Sequence, residues 1–313
     1  MGKNKRLKRI KANNKPPPTT KNYGKPTGVT KAVSKPAKKH IQTQHTEPTI
    51  PFEVHEKILL VGEGDLSFAR SLVENHGCED VIATVFESRD ELKDKYPHVA
   101  ENLAVLSPKD AEDEPGAENA KPGKRERIMR YNIDATKPGP IWKELTGKCH
   151  RVIFNFPHVG GKSKDVNRQV RYNQELIVKF FKLAQSALAP LGHQPKPSHN
   201  HPVSPSSIII TLFEGEPYTL WNIRDLGRHA GLQVERSFRF QAKAYPGYRH
   251  ARTLGVVKGK DGEEGGWKGE ERAARSYVFV RKGDTEKISI GENARRRWGD
   301  RDVSDGDGEE EGR

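Results

Sequence analysis

The fold is decided by the stretch Lys57-Ile-Leu-Leu-Val-Gly-Glu-Gly-Asp-Leu-Ser-Phe68. Its apolar first half ends at Gly62, which predicts a buried parallel strand, and a helix is predicted to follow over about 67–75. Gly62 and Gly64 permit a tight turn and the close approach of a ligand to the backbone. The first turn of the helix leaves N–H groups free to bind that ligand. An ordinary tight turn without a ligand is the alternative.

Strand and helix patterns alternate beyond this turn. Apolar runs predict further strands over 81–86, 128–133, 151–156, 207–213, 232–240 and 276–280. A charged helix interrupted by Pro97 should follow the second strand, and further helices are predicted over about 170–189 and 221–229. The repeated strand–helix units indicate a parallel sheet with helices on both faces. Because no helical pattern separates the last two strands, they are expected to pair antiparallel.

The charge distribution divides the chain into a body and two tails. Residues 1–46 contain 13 of the 55 Lys and Arg residues and no acid, and the other 42 basic residues are balanced by 42 acidic ones. The net charge of +13 therefore resides in the N-terminal segment. We predict a disordered basic tail over 1–50 that holds RNA through counterion release, a solvated tail being the alternative. One domain is predicted over 51–283, with insertions near 107–127, 192–206 and 258–272, followed by a polar, acidic tail over 284–313.

Cysteine, histidine and apolar residues exclude several classes of protein. Cys78 and Cys149 supply neither a disulfide framework nor zinc-ligand spacing. His193, His199 and His201 lie in a Pro-rich insertion without a partner set, so no metal site is expected. No apolar run approaches the roughly 18–20 residues of a membrane helix, and no secretory signal begins the chain. These features predict a soluble, intracellular protein without membrane contact, which we expect to be monomeric.

Two acids make the glycine turn unsuited to a dinucleotide. Glu63 and Asp65 lie between and after the glycines, where they would repel a pyrophosphate. They suit a zwitterionic ligand that carries a sulfonium and a cationic amino group. Leu66 completes the predicted turn, and Ser67 stands where a dinucleotide fingerprint has its third glycine.

Acidic residues also end the second and third strands. Glu87 lies 23 residues after Gly64, close to the distance at which an acid meets ribose hydroxyls in nucleotide-binding α/β folds. A solvated acid at the end of the strand is the alternative. Asp134 is expected to face the adenine of the same ligand, or else to form a turn. Together these acids predict a ligand site at the carboxyl edge of the sheet.

The fourth strand ends in the unusual sequence Phe154-Asn-Phe-Pro-His-Val-Gly-Gly-Lys162. Asn155 offers a donor and an acceptor for the edge of a base, and Phe156 offers a stacking face. Pro157 should stiffen the turn, and His158 is the candidate proton acceptor. The alternative is a Gly-rich loop with one surface histidine.

Aromatic and cationic residues are interleaved over 240–252, which reads FQAKAYPGYRHAR. Such a pattern is typical of segments that stack on splayed bases and bind phosphates. A loop packed over the sheet edge is the alternative. The candidate RNA-binding residues are Lys243, Tyr245, Tyr248, Arg249, His250 and Arg252.

Four motifs in this order resemble the eukaryotic 25S rRNA (uridine-N3)-methyltransferase family: GEGDLSF, FNFPHVGGKSKD with RYNQELI, TLFEGEPY with LWNIRDL, and YPGYRHARTLG. The resemblance runs from about Lys57 to Lys282. It implies a class I methyltransferase: a Rossmann-like α/β domain whose seven-stranded, mostly parallel sheet has helices on both faces. It also implies S-adenosylmethionine as cofactor, with contacts from Gly62 to Ser67. Glu87 stands where relatives often have Asp.

The same resemblance implies a nuclear, nucleolar enzyme of ribosome biogenesis. Its substrate would be one uridine of large-subunit rRNA, free or in a pre-ribosomal particle. Two other functions remain open from the residues themselves. One is a pre-rRNA-binding assembly factor on the same fold without catalysis. The other is an NAD-dependent oxidoreductase, which the missing third glycine and the two acids of the turn disfavour.

Overall fold

The structure of the protein, a computed structural model, describes residues 47–106, 127–161, 165–193, 204–253, 255 and 269–288. The basic segment 1–46, residues 289–313 and most of the three predicted insertions (107–126, 194–203 and 256–268) lie outside these residues. The described residues contain seven strands: β1 (Lys57–Leu60), β2 (Asp80–Thr84), β3 (Arg127–Arg130), β4 (Arg151–Asn155), β5 (Ser207–Phe213), β6 (Leu232–Phe240) and β7 (Ala274–Arg281).

These strands form a seven-stranded sheet in the order β3-β2-β1-β4-β5-β7-β6. Neighbours pair in parallel from β3 through β5, whereas β7 runs antiparallel to both β5 and β6. The predicted antiparallel pairing of the last two strands is confirmed, as is the predicted sheet of a class I methyltransferase. The strand order changes direction between β1 and β4, and open α/β sheets bind their ligands at the carboxyl ends of strands beside such a point.

Helices within the described residues connect and cover the strands. The helix between β2 and β3 stops before Pro97 and a second one follows, as predicted. Ser88 begins the first of these two helices with a capping box that it shares with Glu91. The α-helices are α1 (Ser67–Glu74), α2 (Arg89–Lys95), α3 (Val99–Leu106), α4 (Pro140–Glu144), α5 (Val166–Ala187) and α6 (Ile223–His229).

Apolar side chains pack on both faces of the sheet. One cluster joins α1 and α3 to the residues that follow β6, and the other packs α4, α5 and α6 on the opposite face. Ile177, Phe180 and Ala184 of α5 are fully buried at helical spacing. Burying side chains of the size of the first two stabilises the fold by about 1.5–3 kcal/mol each. None of the described helices has the length and apolar character needed to span a bilayer.

Two helices differ from the sequence prediction. The helix α5 begins at Val166, four residues before the predicted start, because the Asp165 side chain accepts a hydrogen bond from the backbone N–H of Arg168 (2.8 Å). The polar residues of its first turn give no apolar period. The helix α4 was not predicted, because five residues that begin at Pro140 are too few for a periodic pattern.

Candidate active site

A cavity of about 760 Å³ opens at the carboxyl ends of β1, β2 and β4. It brings together candidates that lie far apart in the sequence: Gly62, Glu63, Gly64, Asp65, Glu87, Asp134, Asn155, Phe156, His158, Tyr248, Arg249 and His250. The remaining candidates do not line it: Leu66, Ser67, Pro157, Lys243, Tyr245 and Arg252. Twelve of the 18 candidate residues therefore lie in the cavity wall, and the other six lie outside it.

Both glycines of the turn are required by neighbouring protein atoms. Gly62 has a φ of +67°, and a Cβ there would lie 2.5 Å from Cε2 of the Phe154 ring. A Cβ at Gly64 would lie 2.5 Å from the Cβ of Ala251. Close approach at these glycines was expected from a ligand. Phe154 and Ala251 occupy the space that a side chain at either glycine would take, and both glycines also line the cavity, so the approach of a ligand to their backbone stays a prediction.

Burial perturbs both acids of the turn. Oε2 of Glu63 accepts a hydrogen bond from the backbone N–H of Ala69 (3.2 Å), and burial raises the pKa of this carboxyl to about 8. Burial also raises the pKa of Asp65, whose Oδ1 accepts hydrogen bonds from the backbone N–H (3.0 Å) and the hydroxyl (2.7 Å) of Ser67. A cation bound in the cavity would stabilise the ionised form of either acid.

The acids after β2 and β3 have different surroundings. Glu87 is mostly buried at the cavity wall and forms an ion pair with Lys95 of α2. Asp134 accepts hydrogen bonds from the backbone N–H (2.9 Å) and hydroxyl (2.6 Å) of Thr136, and its other oxygen lies 3.1 Å from Nζ of Lys137. The carboxylate of Asp134 thus forms a local turn, which is the alternative that its sequence position left open.

At the end of β4, Asn155 has one satisfied and one unsatisfied polar atom. Its Oδ1 accepts a hydrogen bond from the hydroxyl of Thr211 (2.7 Å). Its Nδ2 is shielded from solvent and has no hydrogen-bond partner among the described residues. Leaving a buried donor unpaired costs about 1–3 kcal/mol. A small shift of the neighbouring atoms would expose Nδ2 to an acceptor on a ligand in the cavity, and that hydrogen bond would remove this cost.

Phe156 lies next to Asn155 in an aromatic cluster. Its backbone has a φ of +52°, which is uncommon for a residue with a side chain. Its ring centroid lies 4.5 Å from that of Phe213, 4.4 Å from that of His250 and 5.5 Å from that of Phe240. The half-buried ring lines the cavity, and its role as a stacking surface for a base stays a prediction.

His158 presents a hydrogen-bond donor. The backbone N–H of Gly160 donates to its Nδ1 (2.9 Å), so the neutral imidazole carries its proton on Nε2. Burial lowers the pKa of His158 below its usual value, which favours this neutral form. Because Nδ1 already accepts this hydrogen bond and Nε2 carries the proton, neither ring nitrogen is free to accept a proton in this arrangement, and the role as proton acceptor stays an untested prediction. Pro157 is buried, and α5 holds the loop because Asn173 accepts a hydrogen bond from the N–H of Val159 (3.0 Å).

The aromatic–basic sequence after β6 forms a covering segment, residues 241–253, that packs across the glycine turn. The backbone N–H of Arg249 donates to the Ser67 hydroxyl (2.9 Å), and the Tyr96 hydroxyl donates to the carbonyl of Arg252 (2.8 Å). Further along, the carbonyl of Ala244 lies 3.0 Å from Nε2 of His76. The backbone of this segment therefore forms a loop packed against the protein, which was the alternative interpretation of its sequence.

The side chains of the covering segment divide into three groups, which are buried, exposed or at the cavity. Tyr245 is a correction to the RNA-binding set: it is 4% exposed, and its ring stacks on Phe240 at 5.4 Å in the core, so it cannot stack on a base. Lys243 and Arg249 are exposed. Tyr248 and His250 face the cavity, with the Tyr248 hydroxyl 3.0 Å from Nδ1 of His250.

The residues that were not predicted from the sequence include Phe86, which lines the cavity, and Arg272, which lies beside the aromatic cluster. Phe86, beside Glu87, has a ring that is 65% exposed, and its signal was an aromatic residue directly before a strand-end acid. Arg272 lies over the Phe213 ring with its guanidinium carbon 4.2 Å from the centroid. Together with burial and Arg252, it lowers the pKa of His250 to about 4. Arg272 was missed because it ends a segment that had been interpreted as an insertion.

Metal ligation has no visible basis in the described ranges. No group of three or more His, Cys, Asp or Glu side chains that could hold a metal ion occurs there.

Comparisons with known proteins identify relatives of this chain. The sequence profile described as rRNA (uridine-N3-)-methyltransferase BTM5-like matches residues 59–252. The 25S rRNA (uridine(2634)-N(3))-methyltransferase of Saccharomyces cerevisiae is 32% identical over 271 residues, which cover 74% of each chain. An uncharacterized protein of Arabidopsis thaliana, At4g26485, is 28% identical over 66% of this chain and 86% of its own.

The profile spans the glycine turn, the loop after β4 and nearly all of the covering segment, and so includes the whole cavity wall apart from Thr253. These matches confirm the resemblance seen in the four motifs, together with the enzyme class and the methyl donor that it implied. The chain belongs to the BMT5-like family of rRNA (uridine-N3)-methyltransferases.

Proposed function

We propose that this protein transfers the methyl group of S-adenosylmethionine to N3 of a uridine in large-subunit rRNA. The observation that carries the proposal is that a single cavity joins the glycine turn and Glu87 to Asn155 and Phe156. The glycine turn and Glu87 suit the cofactor, and Asn155 and Phe156 suit a base. A methyl group passes directly between two ligands only if both occupy one enclosed space.

The cofactor half of the cavity fits S-adenosylmethionine by the chemistry of its residues. The Glu87 carboxylate can accept hydrogen bonds from ribose hydroxyls, and the exposed ring of Phe86 beside it offers a flat surface for adenine. The buried carboxyls of Glu63 and Asp65 are suited to a cationic amino group. When bound, the cofactor supplies an activated methyl group, to which the N3 electron pair bonds as the carbon–sulfur pair passes to sulfur.

The substrate half of the cavity suits a flipped pyrimidine. Phe156 provides the stacking face, and bases that undergo chemistry must leave their helical stack to reach such a site. Asn155 and His158 each present an N–H donor, and uracil carries a carbonyl acceptor on either side of N3. The two side chains would hold the base by these oxygens.

The same donors promote loss of the N3 proton. A neutral uracil N3–H is only weakly acidic, and the negative charge that forms on deprotonation spreads onto both neighbouring oxygens. Donors aimed at those oxygens stabilise the anion more than the neutral base, so they lower the barrier selectively. The proton passes to solvent in this scheme, and His158 acts as a donor.

Positive charge outside the catalytic residues would bind the remainder of the RNA. Arg249 and Arg272 are exposed near the aromatic cluster, where phosphates flanking a flipped base can be reached. The 13 cations of residues 1–46 add a sequence-independent attraction and serve as a nucleolar address. We further propose that the enzyme acts as a monomer in the nucleolus, on rRNA or a pre-ribosomal particle.

The test is methyl transfer with identification of the product. Purified protein, labelled S-adenosylmethionine and unmodified large-subunit rRNA should yield 3-methyluridine, identified by mass spectrometry of nucleosides. Asn155→Ala should abolish the product while preserving cofactor affinity in a calorimetric titration. RNA binding without any methylated nucleoside would instead support a non-catalytic assembly factor, and binding of NAD in place of S-adenosylmethionine would indicate an oxidoreductase.

A further inference from the structure

Three polar side chains form a row across the interior of the sheet beneath the cavity. Asn155, Thr211 and Ser276 occupy paired positions on the adjacent strands β4, β5 and β7. The Thr211 hydroxyl lies 2.7 Å from Oδ1 of Asn155 and 2.9 Å from the Ser276 hydroxyl. Thr211 and Ser276 are only 1% and 2% exposed. A valine and an alanine would fill the same space without polar atoms, so packing alone does not require these hydroxyls.

The proton of Thr211 determines how the Asn155 amide is oriented. A threonine hydroxyl has one proton, which is donated here to Oδ1, the sole acceptor of the amide. The hydroxyl of Ser276 can donate in turn to Thr211, so the row has one consistent direction. With Oδ1 held by Thr211, Nδ2 becomes the polar atom of Asn155 that remains for a ligand. This Nδ2 is the donor that has no partner among the described residues.

A fixed donor distinguishes the two pyrimidines at the edge that carries N3. Beside N3, uracil has the acceptor O4, whereas cytosine has an amino group, which is a donor. A donor opposite the cytosine amino group leaves both groups unpaired. Cytosine N3 already has a free electron pair and loses no proton on methylation. A site that merely positioned a pyrimidine would therefore methylate cytidine readily, and selection must come from the groups that face the base.

We infer that Thr211, supported by Ser276, is a specificity-determining positioning residue: it holds the Asn155 amide with its N–H groups toward O4 of the base, so that the site accepts uridine and rejects cytidine. This inference rests on the proposed function, because it names the device by which that site selects its substrate. Thr211 does not contact the base. It acts through Asn155 alone.

The experiment compares two RNA fragments that differ only at the target position, which holds uridine in one and cytidine in the other. The variant Thr211→Val keeps the shape of the side chain and removes its proton. The uridine rate should fall, and the ratio of uridine to cytidine methylation should drop roughly 5- to 100-fold, the range expected for one buried hydrogen bond. Thr211→Ser restores the hydroxyl and should recover the wild-type ratio. Nucleoside mass spectrometry distinguishes 3-methyluridine from 3-methylcytidine.

A second variant reverses the hydrogen-bonding character of the site. Asn155→Asp can still accept the proton of Thr211, but it presents an acceptor to the base, so cytidine should become the better substrate. Ser207→Ala is the matched control, because Ser207 is a buried hydroxyl at the opposite end of β5 that bonds to Arg151 (3.1 Å). It should leave the ratio unchanged. Thermal unfolding and cofactor affinity verify that each variant is folded.

The outcomes separate this inference from the proposed function. Wild-type protein that makes no 3-methyluridine would overturn the proposed function itself. If the wild-type protein makes 3-methyluridine and a folded Thr211→Val variant keeps the wild-type uridine-to-cytidine ratio, only the role of Thr211 is overturned. If Thr211→Val does not fold, Thr211→Ala removes the same hydroxyl, and an unchanged ratio in that variant would overturn the role of Thr211.

Discussion

Ala251 lies directly over Gly64, so close that a Cβ on the glycine would be 2.5 Å from the Cβ of the alanine. The two residues are far apart in the sequence, and their contact seats the covering segment on the turn that borders the cofactor half of the cavity. Gly62 and Gly64 thus leave room for Phe154 and Ala251, and the shape of the ligand site depends on this packing.

A valine at Gly64 should therefore displace the covering segment. We expect Gly64→Val to abolish S-adenosylmethionine binding in a calorimetric titration while the protein stays folded. Amide hydrogen exchange over 241–253 should accelerate in this variant, because the clash with Ala251 lifts the segment. Unchanged cofactor affinity would contradict the role of the turn.

A compensating pair of substitutions tests the same contact more sharply. Gly64→Ala should weaken cofactor binding, and Gly64→Ala combined with Ala251→Gly should recover it, because the second change removes the atom that the new Cβ meets. Gly139→Ala is the control, since nothing lies within 4 Å of a Cβ there. Failure of the double variant to recover binding would mean that the Cβ at position 64 meets the ligand itself.

Glu87 should contribute to cofactor binding and not to RNA binding. We expect Glu87→Ala to weaken S-adenosylmethionine binding by about 1–3 kcal/mol, the cost of leaving buried hydrogen-bonding partners unpaired. RNA affinity should not change. Glu74→Ala removes an acid of similar type from an ion pair on α1 outside the cavity wall, and it should leave cofactor affinity unaffected. A Glu87 variant that lost RNA affinity alone would place this residue in the substrate half.

Cofactor affinity should rise with pH because of Glu63. Burial raises the pKa of this carboxyl to about 8, so it is mostly protonated at pH 6–7 in the unliganded protein. A bound cationic group stabilises the ionised form, so binding releases a proton, and the affinity increases by at most about tenfold per pH unit. Calorimetry in buffers of different ionisation enthalpy measures the released proton.

The stability of the protein provides the control for this assignment. The folded carboxyl of Glu63 ionises near pH 8 and an unperturbed one near 4.5, so the folded state binds an extra proton between these values. The protonated Glu63 carboxyl therefore contributes to the stability of the folded state at low pH, and this contribution is lost as the pH rises from about 4.5 to about 8. Glu63→Gln should remove both this loss and the proton release. A Gln variant that still releases a proton on binding would assign the release to another group, with Asp65 as the candidate.

Deletion of residues 1–46 should separate RNA attraction from catalysis. The net positive charge resides in this segment, whereas the cavity residues lie between Gly62 and Thr253. The truncated protein should keep its S-adenosylmethionine affinity, bind RNA more weakly and show a shallower dependence of affinity on salt, because fewer counterions are released. Equal slopes of log affinity against log salt would mean that the segment does not contact RNA. In cells, the truncated protein should spread out of the nucleolus.

Local patterns in the sequence predicted the strands, the glycine turn, the acids after β2 and the polar–aromatic end of β4. Each depends on neighbouring residues: an apolar run that ends at Gly62 predicts a buried strand whatever lies elsewhere in the chain. The family resemblance had the same basis, because it rested on four short motifs. Since parallel strands end at one edge of a sheet, the presence of a site at that edge followed as well.

The tertiary structure decided which of these residues contact one another. A tyrosine in an aromatic–basic segment has the same local signature whether it stacks on RNA or, as Tyr245 does, on Phe240 in the core. The covering segment over Gly64, the place of β7 between β5 and β6, and the bond from Thr211 to Asn155 all join residues distant in the sequence. Such contacts form only when the strands are ordered, and so the direction of the Asn155 amide is a property of the folded sheet.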